Sequence, residues 1–161
     1  MVGSQTLSHQ KFRHDGFLIN TDPAKLEVDM VHRYLAHESY WARGIASETV
    51  DRSLKNSICF GVYDCSQNND MQIGFARVIS DCSSFAYLAD LFILPRYRGQ
   101  GLGKWLISCI LAHNDLQGLR KWALNTRDAH GLYERFGFLL NPEPDTYMVY
   151  HVQHQGISSA E

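Results

Sequence analysis

The chain has 161 residues, 45% of them hydrophobic and 20% charged, with only 4 prolines, a composition that suits one folded domain and excludes collagen-like and disordered classes. Asp and Glu number 17 against 15 Lys and Arg, for a net charge of −2, so the basic surplus that phosphate-led nucleic-acid binding needs is missing. No apolar run approaches the roughly 18 residues of a membrane span, and residues 1–14 lack the apolar stretch of a secretory signal.

In chain order, residues 1–14 and 153–161 read as loose tails around a single domain spanning 1–161. Gly16 to Asn20 reads as a short strand. Pro23 opens a helical stretch in which Leu26, Met30, Val31 and Leu35 recur at helical spacing, and Ser39-Tyr40-Trp41-Ala42-Arg43-Gly44 breaks it. A second helix is expected from Ser47 to Lys55, with Ser47 as its cap. Ile58 to Tyr63 and Met71 to Ser80 are rich in β-branched and aromatic residues, and the turn chemistry of Ser66-Gln67-Asn68-Asn69-Asp70 makes them a hairpin.

Ser84 to Leu94 is a nearly continuous apolar run ended by Pro95, which reads as a central strand covered on both faces. A helix follows from Gly103 to about His113, then a strand from Lys121 to Thr126 and a helix from Ala129 to Phe136, stopped by Gly137. Phe138 to Leu140 and Tyr147 to Val152 read as a closing strand pair. The fold class is α/β of the mixed α+β kind, a mixed sheet with helices on both faces.

Cys59, Cys65, Cys82 and Cys109 form no CxxC pair, and the eight histidines are dispersed. Reduced thiols, no metal site and a cytoplasmic setting are the expectation, with Cys59 and Cys109 as small core residues.

The densest signal is Arg98-Gly99-Gln100-Gly101-Leu102-Gly103-Lys104, where a strand hands over to a helix. Glycine lets the backbone approach a ligand closely, and a helix start offers unpaired N–H groups and a positive dipole end to phosphate. A P-loop would need glycine where Arg98 stands and Ser or Thr where Trp105 stands; the GxGxxG of dinucleotide-binding folds is likewise not met. The match is to [RQ]xxGx[GA] after a strand ending in Leu94-Pro95, and a second segment, Ala129-His130-Gly131-Leu132-Tyr133-Glu134-Arg135-Phe136-Gly137-Phe138, fits A-x-x-L-Y-x-x-x-G-F.

On these two segments the chain resembles the GNAT superfamily of acetyl-CoA-dependent N-acetyltransferases. The resemblance implies a single domain with a splayed, largely antiparallel sheet of six to seven strands and about four helices. It also implies acetyl-CoA as co-substrate, its pantetheine arm running along Leu91, Phe92 and Ile93. The diphosphate would lie on the amides of Gly99, Gln100, Gly101, Leu102, Gly103 and Lys104, with Arg98 nearby. Thr126 stands where many members have a cofactor-contacting asparagine. Tyr133 matches the tyrosine that donates a proton to the departing sulfur; a tyrosine of ordinary pKa near 10 is protonated at neutral pH. The acceptor is expected to be a primary amine, either of a small molecule or of a protein, and dimers are frequent in the family, so a homodimer is one expectation.

Asp90 is conspicuous inside an otherwise apolar strand, where a carboxylate is costly unless paired or facing a wet cleft. It reads either as a satisfied structural acid or as the group that holds the substrate ammonium and relays its proton. Tyr87 occupies the place of a family glutamate base, which leaves a water chain ending on Asp90, Asp128 or His130 as the route for the proton, and favours slightly an acyl-CoA sensor without efficient chemistry. Tyr40 and Trp41, after Glu38, could form an aromatic wall with an acidic rim for a small cation.

Overall fold

The apolar runs pair in the order in which they occur. In a computed structural model, whose residues 7–67 and 69–152 are described, they make a six-stranded sheet of β1 (Lys11–His14), β2 (Phe17–Asn20), β3 (Ile58–Asp64), β4 (Met71–Ser80), β5 (Phe85–Ile93) and β6 (Lys121–Ala123) in that spatial order. Neighbours are antiparallel except β5 and β6, which run parallel. The helices are α1 (Val28–Arg33), α2 (Ser47–Lys55), α3 (Leu102–Leu111) and α4 (His130–Glu134).

Strand β3 is buried along almost its whole length, and its pleat supplies both faces of the core. On one face Cys59, with Phe75 of β4 and Phe92 of β5, packs against Met30, Val31, Tyr34, Leu35, Val50 and Leu54 from α1, the turn after it and α2. Phe60 points to the other face, where the ring of His113, just beyond α3, meets it edge-on at 5.5 Å. Burying side chains of this size stabilises the fold by about 1.5–3 kcal/mol each, which fixes the sheet as a rigid platform for the loops at its ends.

The long run expected to be a covered central strand is instead next to the sheet's edge. β5 is partnered by β6 only through Phe85↔Lys121, Ala86↔Trp122 and Tyr87↔Ala123, and Phe85 at its start is exposed. On its other side β5 carries a bulge: Phe75 faces Phe92 and Arg77 faces Ala89, so Asp90 and Leu91 together stand opposite Ala76. Asp90 takes the left-handed conformation there, with φ +54. The bulge follows shortly after Tyr87, the last β5 residue paired with β6, and beyond that pair β5 has no β6 neighbour.

Several boundaries differ from the sequence expectation. Residues 11–14, read as tail, form β1, because Asp15 and Gly16 both take positive φ and close a two-residue hairpin with β2. The first helix begins at Val28 and not at Pro23; Pro23–Lys25 is a separate 3-10 turn capped by the Asp22 carboxylate. Ala46, not Ser47, holds the capping position of α2 and makes no side-chain cap. β6 ends at Ala123, three residues short of Thr126. The expected closing pair is not formed: 138–140 and 147–152 hold no strand, and Pro144–Thr146 makes a 3-10 turn between them. Residues 1–6 and 153–161 of the expected tails lie outside the described residues.

The chain divides into two units, Met1–Asp128 with the sheet and α1 to α3, and Ala129–Glu161 with α4.

Candidate active site

The glycine-rich turn is built as its residue types demand. Pro95–Tyr97 forms one 3-10 turn after β5. Gly99 and Gly101 then take φ values of +79 and +80, and Gly101 sits at the N-cap of α3 without any side chain capping it. A side chain at Gly101 would be strained at that φ. Gln100 N–H closes the turn onto the preceding residues, while among the described residues no protein acceptor meets the main-chain N–H groups of Gly99 and of Gly101 through Lys104; the first bond of the helix runs from Trp105 N to Gly101 O at 3.0 Å. Side chains added at Gly99, Gly101 or Gly103 would meet nothing within 4 Å, so the space over the turn is open. Unpaired donors, the positive end of a 10-residue helix and open room above them fit a diphosphate.

Arg98 does not reach over that room. Its Nε donates to Ile93 O and its Nη2 to Tyr34 Oη, both at 2.9 Å, and the Tyr34 ring stacks on Phe92 at 3.7 Å. The arginine therefore ties the turn to the end of β5 and to α1's continuation. Leu91 is half-buried while Phe92 and Ile93 are buried, and all three lie past the last β5–β6 pair, so this stretch of β5 has no β6 neighbour on that side. A guest strand could pair there, which suits the arm of the cofactor.

The opposite wall comes from the segment after α1. A π turn over Tyr34–Glu38 places Ser39 in the interior, a helix irregularity of the kind found at functional sites. The Ser39 hydroxyl donates to Leu35 O at 2.7 Å and accepts from Ala42 N at 3.1 Å. Tyr40 and Trp41 follow, about two-fifths exposed and edge-to-face at 5.0 Å. Trp41 Nε1 donates to Asp90 Oδ1 at 2.9 Å, and the other oxygen of Asp90 accepts from Arg77 Nε. Tyr40 Oη accepts from the main-chain N of Arg127 at 3.0 Å. The Arg127 guanidinium lies 4.0 Å from the centre of the Tyr40 ring, so the cation seat expected of this wall is filled by the protein's own side chain.

Tyr87 and Thr126 are half-buried, Tyr87 within β5 and Thr126 beyond β6. In the second unit Tyr133 is half-buried on α4 and meets the Phe138 ring edge-on at 5.8 Å. His130 is exposed at the first position of that helix, and Gly137 closes it with φ +86. Sequence reasoning overlooked Arg77, Arg127 and Tyr34. Arg77 had left a trace: an arginine and an aspartate interrupt the two apolar runs of one hairpin, and each can satisfy the other. Arg127 and Tyr34 act through distant partners and left none.

Both buried thiols are unreactive, since burial pushes Cys59 up to about 12 and Cys109 up to about 11. Among the described residues no group of His, Cys, Asp and Glu is placed to hold a metal ion, and no helix is long and apolar enough to cross a membrane.

Residues 55–139 match the pattern of the acetyltransferase (GNAT) domain. A protein of Gibberella zeae assigned as an acetyltransferase is 32% identical over 143 residues, which cover 77% of this chain and 79% of that one. A Xanthomonas campestris pv. campestris structure assigned to the same family is 43% identical with a TM-score of 0.79, covering 84% of this chain and 93% of that one. A Clostridium acetobutylicum structure solved with acetyl-CoA, 15% identical with a TM-score of 0.62 over 93% of this chain and all of that one, shares the fold. The domain pattern takes in more than half of the chain, on the sheet and turn described above, and the chain belongs to the GNAT family of acetyltransferase enzymes.

Proposed function

We propose that the protein transfers the acetyl group of acetyl-CoA to a primary amine of a small molecule, by direct attack within a ternary complex. The observation that carries the reading is the set of unpaired amides of Gly99 and of Gly101 to Lys104, under open space and beside the edge of β5 that β6 leaves unpaired. Those amides would hold the diphosphate, and the edge at Leu91, Phe92 and Ile93 would pair with the pantetheine arm. Bound there, acetyl-CoA supplies an activated acetyl group, and the residues of the chain have only to orient it and manage protons.

Tyr133 is the residue assigned to protonate the departing sulfur; its place in the A-x-x-L-Y-x-x-x-G-F segment supports this. No covalent acyl-enzyme is needed, and a Cys109 thiol held near 11 favours direct attack. A wall tied down at both Asp90 and Arg127 suits a small acceptor better than a protein segment, which needs an open groove. Four free cysteines are consistent with a cytoplasmic setting.

The second reading, a sensor that binds acyl-CoA without turnover, is favoured by Tyr87, which cannot serve as a carboxylate base. Release of CoA over a panel of small primary amines separates the two. Turnover at least about a hundredfold above the no-acceptor rate on one or more amines is expected, in line with the contribution of positioned proton transfer. Tight acetyl-CoA binding with no turnover on any amine or peptide would favour the sensor.

A further inference from the structure

We infer that Asp90 is a positioning residue that fixes the acceptor-side loop through Trp41, and is not the base that deprotonates the amine; the inference rests on the acetyl-transfer reading above. The side chain of Asp90 is only 10% exposed and that of Arg77 18%. One carboxylate oxygen accepts from Arg77 Nε, the other from Trp41 Nε1 at 2.9 Å. Arg77 is itself oriented by the Ser57 hydroxyl, 3.2 Å from Nη1. Both oxygens of the carboxylate are thus engaged by donors, and taking a proton from substrate would break the contacts that satisfy it.

The backbone sets the direction of the side chain. Asp90 adopts φ +54 in the bulge of β5, a left-handed conformation that Asp tolerates better than most residues with a side chain. Its carboxylate is met there by Arg77 from the neighbouring strand and Trp41 from a loop 49 positions earlier. The bulge turns the carboxylate toward that loop. Trp41 is 42% exposed, so its ring is presented to solvent on the acceptor side while its Nε1 anchors it to the sheet. Asp90 thereby sets where the aromatic wall stands relative to the bend of β5.

Steady-state kinetics on the best amine of the panel test this with Asp90→Asn, Trp41→Phe and the double variant. A positioning role predicts an amine KM raised about three- to tenfold in each single variant, with little further rise in the double because both changes release one contact. It also predicts kcat within about threefold of wild type and an unchanged acidic limb in the kcat–pH profile. A kcat lowered at least about a hundredfold in Asp90→Asn, with the acidic limb lost, would overturn it in favour of a base. Because Asp90→Asn deprives Arg77 of its partner and can fail to fold, Trp41→Phe carries the test alone: an unchanged amine KM there overturns the inference.

If wild-type protein turns over no amine, the acetyl-transfer reading fails, and the contact is then judged without activity. The indole N–H resonance of Trp41, identified by its absence in Trp41→Phe, should move in Asp90→Asn more than those of Trp105 and Trp122. An unmoved resonance overturns the anchoring role.

Discussion

Asp90, Arg98 and Tyr133 show how residue type and local geometry divide the work. Asp90 is held by Arg77 and Trp41, and Arg98 by Ile93 and Tyr34. A guanidinium with fixed planar donors is well suited to such cross-ties, and in each case the charge shapes the site from behind. Tyr133 is the residue proposed to act on the reacting atoms, on its place in the A-x-x-L-Y-x-x-x-G-F segment. Tyr133→Phe keeps the ring that meets Phe138 and removes the hydroxyl group. It should lower kcat about 10- to 100-fold while acetyl-CoA affinity changes less than about threefold, as expected for a group that acts chiefly in the transition state. Paired kcat and calorimetric measurements check this, and full activity in the variant would end the assignment of Tyr133 as the acid.

At the scale of elements, the passage from α3 into the following turn has a pH-dependent weak point. His113 is completely buried beneath the Phe60 ring. Its Nδ1 accepts from Asp115 N at 3.3 Å, while Nε2 has no hydrogen-bond partner among the described residues. Burial holds its pKa below the ordinary histidine range; the Asp115 carboxylate, 4.0 Å away, and the backbone of Ser8 oppose this but do not win. The folded state thus binds a proton on His113 less readily than the unfolded chain does. Stability from this source is complete above the unfolded pKa of about 6.5 and is lost as the pH falls below it. The melting temperature of wild type should therefore fall between pH 7.5 and pH 5 by a few degrees more than that of His113→Gln, and parallel melting curves would contradict the account. Asp115 also accepts from Ser8 N at 2.7 Å, so protonation of His113 would be felt at the start of the first strand as well.

For the whole molecule, the features legible in the sequence were those encoded by neighbours along the chain. The hairpin of β3 and β4, the span of α2 and the turn from Arg98 to Lys104 all depend on local period and glycine placement, and they appear where those signals put them. What escaped is encoded across distance. Lys11–His14 reads as polar tail because a sheet-edge strand has one neighbour and keeps most of its side chains in water. β5 reads as a covered central strand because its apolar run does not record that β6 is three residues long. The tie between Trp41 and Asp90 joins positions 49 apart, which no periodicity reports.

The account as a whole depends on main-chain donors at the start of α3 gripping the diphosphate of acetyl-CoA. Calorimetric titration of acetyl-CoA into wild type and into Gly101→Val, with circular dichroism showing both folded, tests it most directly. A branched side chain at φ +80 distorts the turn and fills the open space above it, so the variant should bind at least about a hundredfold more weakly, the loss expected when two or more charge-assisted hydrogen bonds go. Equal affinity in the two proteins would contradict it.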